Sequence, residues 1–281
     1  MGFEVAKALS DRGGWQVHLL DMNEERGEQA AKQIGASFHK TNVLEYDSLA
    51  AVFQNVFDAS GQRLDFVYAN AGIVERFNFY ETHPAGRPPP PPDQTVIDIN
   101  LKAVINTSWL AQHYFRQSKQ SLNPTLVMTA SVGGLYRCQV SPSYCAAKHG
   151  VVGFMRSIAA HYYAADNIRV NAICPGTVKT GLLDAAAWAT FSDDVFVPIE
   201  KISAAVLMLI DGYDAENKLT QSNGHTSNGV KSVHGSAAGE KLWGKAVELS
   251  GSEYYFRDQV PFSDDHMARC MQATDRTSYD A

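Results

Sequence analysis

Trp15–Gly35, WQVHLLDMNEERGEQAAKQIG, decides the fold class. Trp15 to Asp21 is a short apolar run ending in an acid, which predicts a strand. Asn23 is placed to cap a helix that carries Glu24 and Glu25 in its first turn and runs to about Gly35. The alternation then repeats. Ala36 to Val43 reads as a strand, Leu49, Val52, Phe53, Val56 and Phe57 share one helical face, and Leu64 to Ala69 reads as a strand ending in Asn70-Ala71-Gly72. Helical positions Ile97, Leu101, Val104, Ile105 and Leu110 follow, then a strand at Thr125 to Ala130, a helix from about Tyr144, and strands at Ile168 to Ile173 and Lys245 to Leu249. Such βα alternation predicts an α/β fold in three layers, with a doubly wound parallel sheet between helices.

The length of 281 residues fits one domain over 1–281. A net charge of −6 argues against nucleic acid or an anionic membrane as partner and leaves a small molecule as the expected ligand. Glu4, Lys7, Asp11 and Arg12 interrupt the N-terminal apolar residues, and no long uncharged apolar run occurs, so neither a signal peptide nor a membrane span is expected and a cytoplasmic location is. Cys138, Cys145, Cys174 and Cys270 have no metal-ligand spacing and read as free thiols; no metal is expected. Three segments stand outside the alternation. Pro84 to Asp93, PAGRPPPPPD, reads as an extended surface spacer, with a ligand for a polyproline-binding domain as the alternative. Thr220 to Gly239, with His225 and His234, reads as a Gly/Ser-rich mobile loop without a metal role, and 263–281 as a flexible tail.

Tyr144 and Lys148 in YCAAK lie one helical turn apart on one face, where an ammonium favours the phenolate and lowers the tyrosine pKa toward that of a general base. With twelve tyrosines in the chain this spacing arises readily by chance, so context decides. Ser131 in MTASVGG closes the preceding strand thirteen residues upstream, at the carboxyl end of the sheet. With these residues the sequence resembles the short-chain dehydrogenase/reductase family, which has a Rossmann-type fold. The resemblance implies that Tyr144 is the catalytic acid/base, that Ser131 orients the substrate oxygen, and that Lys148 binds the nicotinamide ribose. It further implies that Asn100 in IDINLKAVIN kinks its helix and serves the proton relay.

Further positions match the family's cofactor site. Asn70, Ala71 and Gly72 stand in its Asn-Asn-Ala-Gly stretch, with Ala69 replacing the first asparagine. Asn42 and Val43 stand where an Asp-Val pair meets adenine, and Pro175, Gly176, Thr177, Val178 and Thr180 in its nicotinamide loop. Asp21, with Met22 beside it, ends a strand nineteen residues after Gly2, where a carboxylate binds ribose hydroxyls and repels a 2′-phosphate; this favours NAD over NADP. Within the family, YCAAKHGVVGF and VNAICPGTVKTG are most similar to NAD-dependent 15-hydroxyprostaglandin dehydrogenase-like members. Ser141, Leu182 and Trp188, with Leu183, Phe191 and Phe196, are candidate substrate contacts for a moderately apolar secondary alcohol or ketone, core packing being the alternative for the apolar ones. The resemblance also implies a homodimer on the helices carrying Asn100 and Tyr144.

The beginning, MGFEVAKALSDRGG, starts at a helix: Gly2 precedes Phe3, Val5, Ala6 and Leu9 at helical spacing. The family's Gly-x-x-x-Gly-x-Gly turn follows a first strand, and Gly2 matches only its last glycine. That strand is central in the order 3-2-1-4-5-6, so the expected sheet lacks a strand between its second and fourth, with a partial anion site left at Gly2 and Phe3. Three readings stand beside this: a chain begun at an internal methionine, a short form that works without dinucleotide as an isomerase, cyclase or lyase, and a non-catalytic member.

Overall fold

The structure is a computed structural model that describes residues 1–118, 121, 123–182, 185–214 and 241–274. The Thr220–Gly239 loop with its two histidines, Leu183, and residues 275–281 of the tail lie outside the described residues.

Seven strands are described: β1 (His18–Asp21), β2 (Ser37–Lys40), β3 (Phe66–Ala69), β4 (Thr125–Thr129), β5 (Arg169–Pro175), β6 (Ala246–Ser250) and β7 (Glu253–Arg257). β3, β4, β5 and β6 pair in parallel in that order, and β7 adds antiparallel to β6. β1 and β2 form a separate parallel pair. The sheet is interrupted between β1 and β3, which is where the sequence predicts a strand to be wanting. A side-chain contact spans the interruption instead of a ladder: Trp15 meets Phe66 of β3 edge-on at 6.3 Å.

α1 (Gly2–Arg12) and α8 (Ile199–Asp211) cover one face, where Val5, Leu9, Ile202, Val206 and Leu209 join Val127, Ile173 and Val247. α2 (Glu24–Ile34) lies beside α1, and Asn23 caps it as expected, accepting from the Arg26 N–H at 3.0 Å. α3 (Tyr46–Ala59), α5 (Ala103–Gln117) and α6 (Pro142–Asp166) cover the other face through Phe53, Phe57, Leu110, Tyr114, Val151 and Met155. A one-turn helix, α4 (Thr95–Ile97), precedes a π-turn at Asp98–Lys102, and α7 (Ala185–Trp188) is likewise a single turn.

Two elements differ from expectation. β7 is an additional strand, because EYYFR alternates Tyr254 and Phe256 inward with Glu253 and Tyr255 outward after the turn at Gly251. Residues 265–272, expected within a flexible tail, form α9 (Asp265–Gln272), capped by Asp264, whose carboxylate accepts from the Met267 N–H at 2.7 Å. The Pro84–Asp93 segment is exposed throughout and forms neither helix nor strand, in keeping with its prolines.

Arg169 at the start of β5 is 1% exposed and holds the sheet to the end of α8. It donates to the carbonyls of Leu209 and Ile210 and, at 2.7 Å, to Thr125 Oγ1. These are carbonyls that a helix end leaves without intrahelical partners. Arg169→Met leaves them buried and unsatisfied, with an expected loss of about 3 kcal/mol in urea unfolding.

Candidate active site

The carboxyl ends of β3, β4 and β5 converge with α6 on one group of side chains. Asn100 is fully buried at the centre of the π-turn; its Oδ1 accepts from the Ile73 N–H and its Nδ2 donates to the Ile73 carbonyl, both at 2.8 Å. This two-way bond ties the helix to the chain leaving β3, and the extra residue in the turn gives the asparagine room to face that chain. The expected helix kink is therefore a π-turn.

Ser131 follows β4 in extended conformation, and its Oγ accepts from the Gly133 N–H at 3.1 Å, closing a tight turn at Val132–Gly134. That turn lies directly on α6: a Cβ at Gly134 would fall 2.5 Å from the Lys148 carbonyl oxygen, so only glycine fits. Tyr144 stands in the first turn of α6 beside Ser131: a Cβ at Gly133 would fall 3.4 Å from the Tyr144 ring and 3.6 Å from Ser131 Oγ. Lys148, one turn further, is 3% exposed; its Nζ donates to the Thr129 carbonyl at 2.7 Å and lies 5.8 Å from the centre of the Tyr144 ring.

One electrostatic expectation is corrected here. The Tyr144 phenol is shifted up from its usual value, because burial outweighs the stabilising bond from Ser131. The lysine does not reverse this, since burial also lowers Lys148, to about 8, and its ammonium is committed to a backbone carbonyl.

Glu75 is a site residue that sequence reasoning missed. Its Oε2 accepts from the Tyr144 N–H at 2.9 Å, so an acid from the chain after β3 caps the helix that carries the tyrosine. The cap is needed because Ser141, at the N-cap position, makes no side-chain cap bond. Glu75 Oε1 is buried without a hydrogen-bond partner beside a cavity of about 90 Å³ that Ile73, Phe77, Thr95 and Val96 also line. No periodicity announces such a contact across 69 residues.

The predicted cofactor residues divide into two groups. Gly2, Asn70 and Gly72 lie with the Asn100 and Lys148 group: a Cβ at Gly2 would fall 2.9 Å from Asn70 Nδ2, and one at Gly72 would fall 3.1 Å from Asn100 Oδ1 and 3.7 Å from Lys148 Nζ. Asp21, Met22, Asn42 and Val43 lie at the carboxyl end of the β1–β2 pair. There Asp21 accepts from the Asn23 N–H at 2.8 Å, Met22 is exposed, and the Asn42 amide is engaged at both ends, with Glu45 and the Leu44 N–H. After β5, Gly176 N–H donates to the Leu249 carbonyl, Thr177 bridges to Phe196, and Val178 is buried. The Thr180 carbonyl accepts from Trp188 Nε1 at 3.0 Å, which ties the expected cofactor loop to the expected substrate segment. Trp188, Phe191 and Phe196 form one aromatic group with ring centres 5.9–6.2 Å apart, and Leu182 stands exposed beside Thr180, to whose Oγ1 its N–H donates.

Residues 1–188 match the family model described as short chain dehydrogenase. The chain is a member of the short-chain dehydrogenase/reductase family. It is 48% identical, over 98% of its length and 96% of the relative's, to the short-chain dehydrogenase/reductase prx7 of Penicillium rubens. It is 32% identical to human 15-hydroxyprostaglandin dehydrogenase [NAD(+)], over 66% of each chain. The crystal structure of gox2181 shares the fold, with a TM-score of 0.62 at 22% identity over 74% of this chain and 83% of that one. Among the described residues no group of side chains suits a metal ion and no helix is long and apolar enough to cross a membrane.

The lowered pKa of Lys148 fixes a pH dependence. Between about 8 and the ordinary lysine value of 10.5 the unfolded chain binds more protons at this group than the folded one, so its contribution to stability rises with pH across that window. Below about pH 8 the buried ammonium opposes folding. Lys148→Met is therefore expected to be more favourable for stability, relative to the unsubstituted chain, at pH 7 than at pH 10.5, with urea unfolding at the two pH values as the measurement.

Proposed function

We propose that this short-chain dehydrogenase/reductase is NAD-linked and interconverts a secondary alcohol and a ketone on a moderately apolar small molecule. The observation that carries the reading is the half-buried Tyr144 phenol beside Ser131, with Lys148 beneath it on α6. In the reducing direction Ser131 holds the substrate carbonyl oxygen and the Tyr144 phenol gives it a proton; in the oxidising direction the phenol first releases that proton to solvent, and the phenolate then takes the hydroxyl proton. Lys148 holds a charge behind the phenol, and Asn100 and Glu75 fix the chain around it. NAD, when bound, accepts the hydride from the carbinol carbon or gives it back.

The fit of the dinucleotide is supported by Gly2 and Gly72, where side chains would fill space against Asn70, Asn100 and Lys148. Gly2 at the start of α1, Asp21 with Met22, Asn42, Val43, Asn70 to Gly72, Pro175 to Val178, Thr180, Tyr144 and Lys148 would hold it. Asp21 selects NAD by repelling a 2′-phosphate. Ser131, Ser141, Tyr144, Leu182 and Trp188 would meet the substrate. A second reading is proton-transfer chemistry without dinucleotide, which the Ser131, Tyr144 and Lys148 set would also support.

The reading includes a homodimer through α5 and α6. Ile105 and Trp109, one turn apart on α5, are 39% and 64% exposed, an apolar surface suited to a second copy. Free cysteines, Cys174 buried among them, support a reducing, cytoplasmic setting.

Titration with NADH, followed by energy transfer from tryptophan, is expected to saturate, with weaker binding of NADPH. Tyr144→Phe is expected to keep that binding and to lower the alcohol oxidation rate by about 10²-fold or more. A folded chain that binds neither nucleotide supports the proton-transfer reading. Trp109→Glu is expected to shift sedimentation from dimer to monomer; an unchanged dimer places the interface elsewhere.

A further inference from the structure

Tyr68 on β3 and Thr129 on β4 form a hydroxyl chain with Asn70. Tyr68 Oη and Thr129 Oγ1 are 2.9 Å apart, and Thr129 Oγ1 and Asn70 Oδ1 are 3.1 Å apart. Burial pushes the Tyr68 phenol above its usual range, so it stays protonated. Two hydroxyl protons must be shared among these three groups, and the Asn70 oxygen can only accept. Thr129 therefore gives its one proton to Asn70 Oδ1 and receives the proton of Tyr68. With the Asn70 amide turned over, Nδ2 would donate to Thr129 Oγ1, and one of the two hydroxyl protons, that of Tyr68 or that of Thr129, would be left with no acceptor among these groups. Proton counting thus fixes the direction of the chain and distinguishes the two ends of the amide.

The remaining end of the amide faces the start of α1, because Nδ2 lies against Gly2, 2.9 Å from where a Cβ would stand. We propose that Tyr68 and Thr129 are positioning residues that hold Asn70 with its NH₂ group toward the start of α1, as a hydrogen-bond donor to the phosphates of the dinucleotide. Helix starts present backbone donors to phosphate, and the amide adds a side-chain donor whose direction is set from below. The inference rests on the dinucleotide reading of the site.

The test uses Thr129→Val alone and combined with Tyr68→Phe. The single change strands the Tyr68 phenol and is expected to lower the Tm. Adding Tyr68→Phe removes the stranded group and is expected to recover most of that loss while leaving Asn70 unheld. Against the unsubstituted chain, the double variant is expected to bind NADH and ADP-ribose about tenfold more weakly, the scale of one hydrogen bond to a charged group. Its affinity for adenosine, which has no phosphate, is expected to stay the same. Equal ADP-ribose affinity in the two proteins overturns the positioning role and leaves the dinucleotide reading standing. Parallel loss of ADP-ribose and adenosine overturns it in favour of general packing. An unchanged Tm in Thr129→Val overturns the proton order. An unsubstituted chain that binds neither NADH nor ADP-ribose overturns the dinucleotide reading, and the inference with it.

Discussion

The bond from Lys148 Nζ to the Thr129 carbonyl fastens α6 to the end of β4, and much of the site follows from it. A cation that is nearly fully buried requires a fixed acceptor, and the last residue of a central strand is one of the most rigid acceptors available. The bond places Tyr144 one turn above, against the turn that begins at Ser131. Gly134 allows that turn to lie directly on the helix backbone, and Glu75 closes the helix start from the opposite side. Burial then sets the electrostatics of both titrating groups, raising the phenol and lowering the amine. The protein accepts an unfavourable ionic environment at both groups, a feature that clusters at functional sites.

The interruption between β1 and β3 divides the molecule unevenly. The five-stranded part carries two well-filled faces and the Asn100, Ser131, Tyr144 and Lys148 side chains. The β1–β2 pair is held by α2, by Trp15 against Phe66, and by His18, which reaches His39 at 3.0 Å and Ser60 at 3.4 Å. Asp21 and Asn42, on this smaller part, satisfy themselves locally, whereas Gly2 and Asn70 meet across α1 and β3.

The fold was legible because its signals are local and repeated. Asn23 and the apolar faces of α3 and α5 are visible in a few residues each, and Tyr144 with Lys148 is a one-turn spacing whose meaning Ser131 supplies. β7 was missed because a five-residue hairpin partner is too short to establish a period. Glu75 and the Tyr68–Thr129–Asn70 chain were missed for another reason: each joins residues dozens of positions apart, and a carboxylate that caps a distant helix looks in the sequence like any surface acid. The Tyr144 expectation failed because charge proximity can be inferred from spacing, while desolvation depends on everything that surrounds the group.

The chain between β3 and α4 is fastened at both ends. Glu75 holds its beginning to α6, and Asp93 holds its end by accepting from the N–H and hydroxyl of Thr95 at 2.9 and 2.6 Å. The five consecutive prolines, Pro88 to Pro92, stand between these two clasps, exposed and outside both layers of helices. The segment is therefore a tolerant graft point, where the surface can be lengthened, shortened or rewritten while Glu75 keeps its hold on α6 and Asp93 its hold on α4.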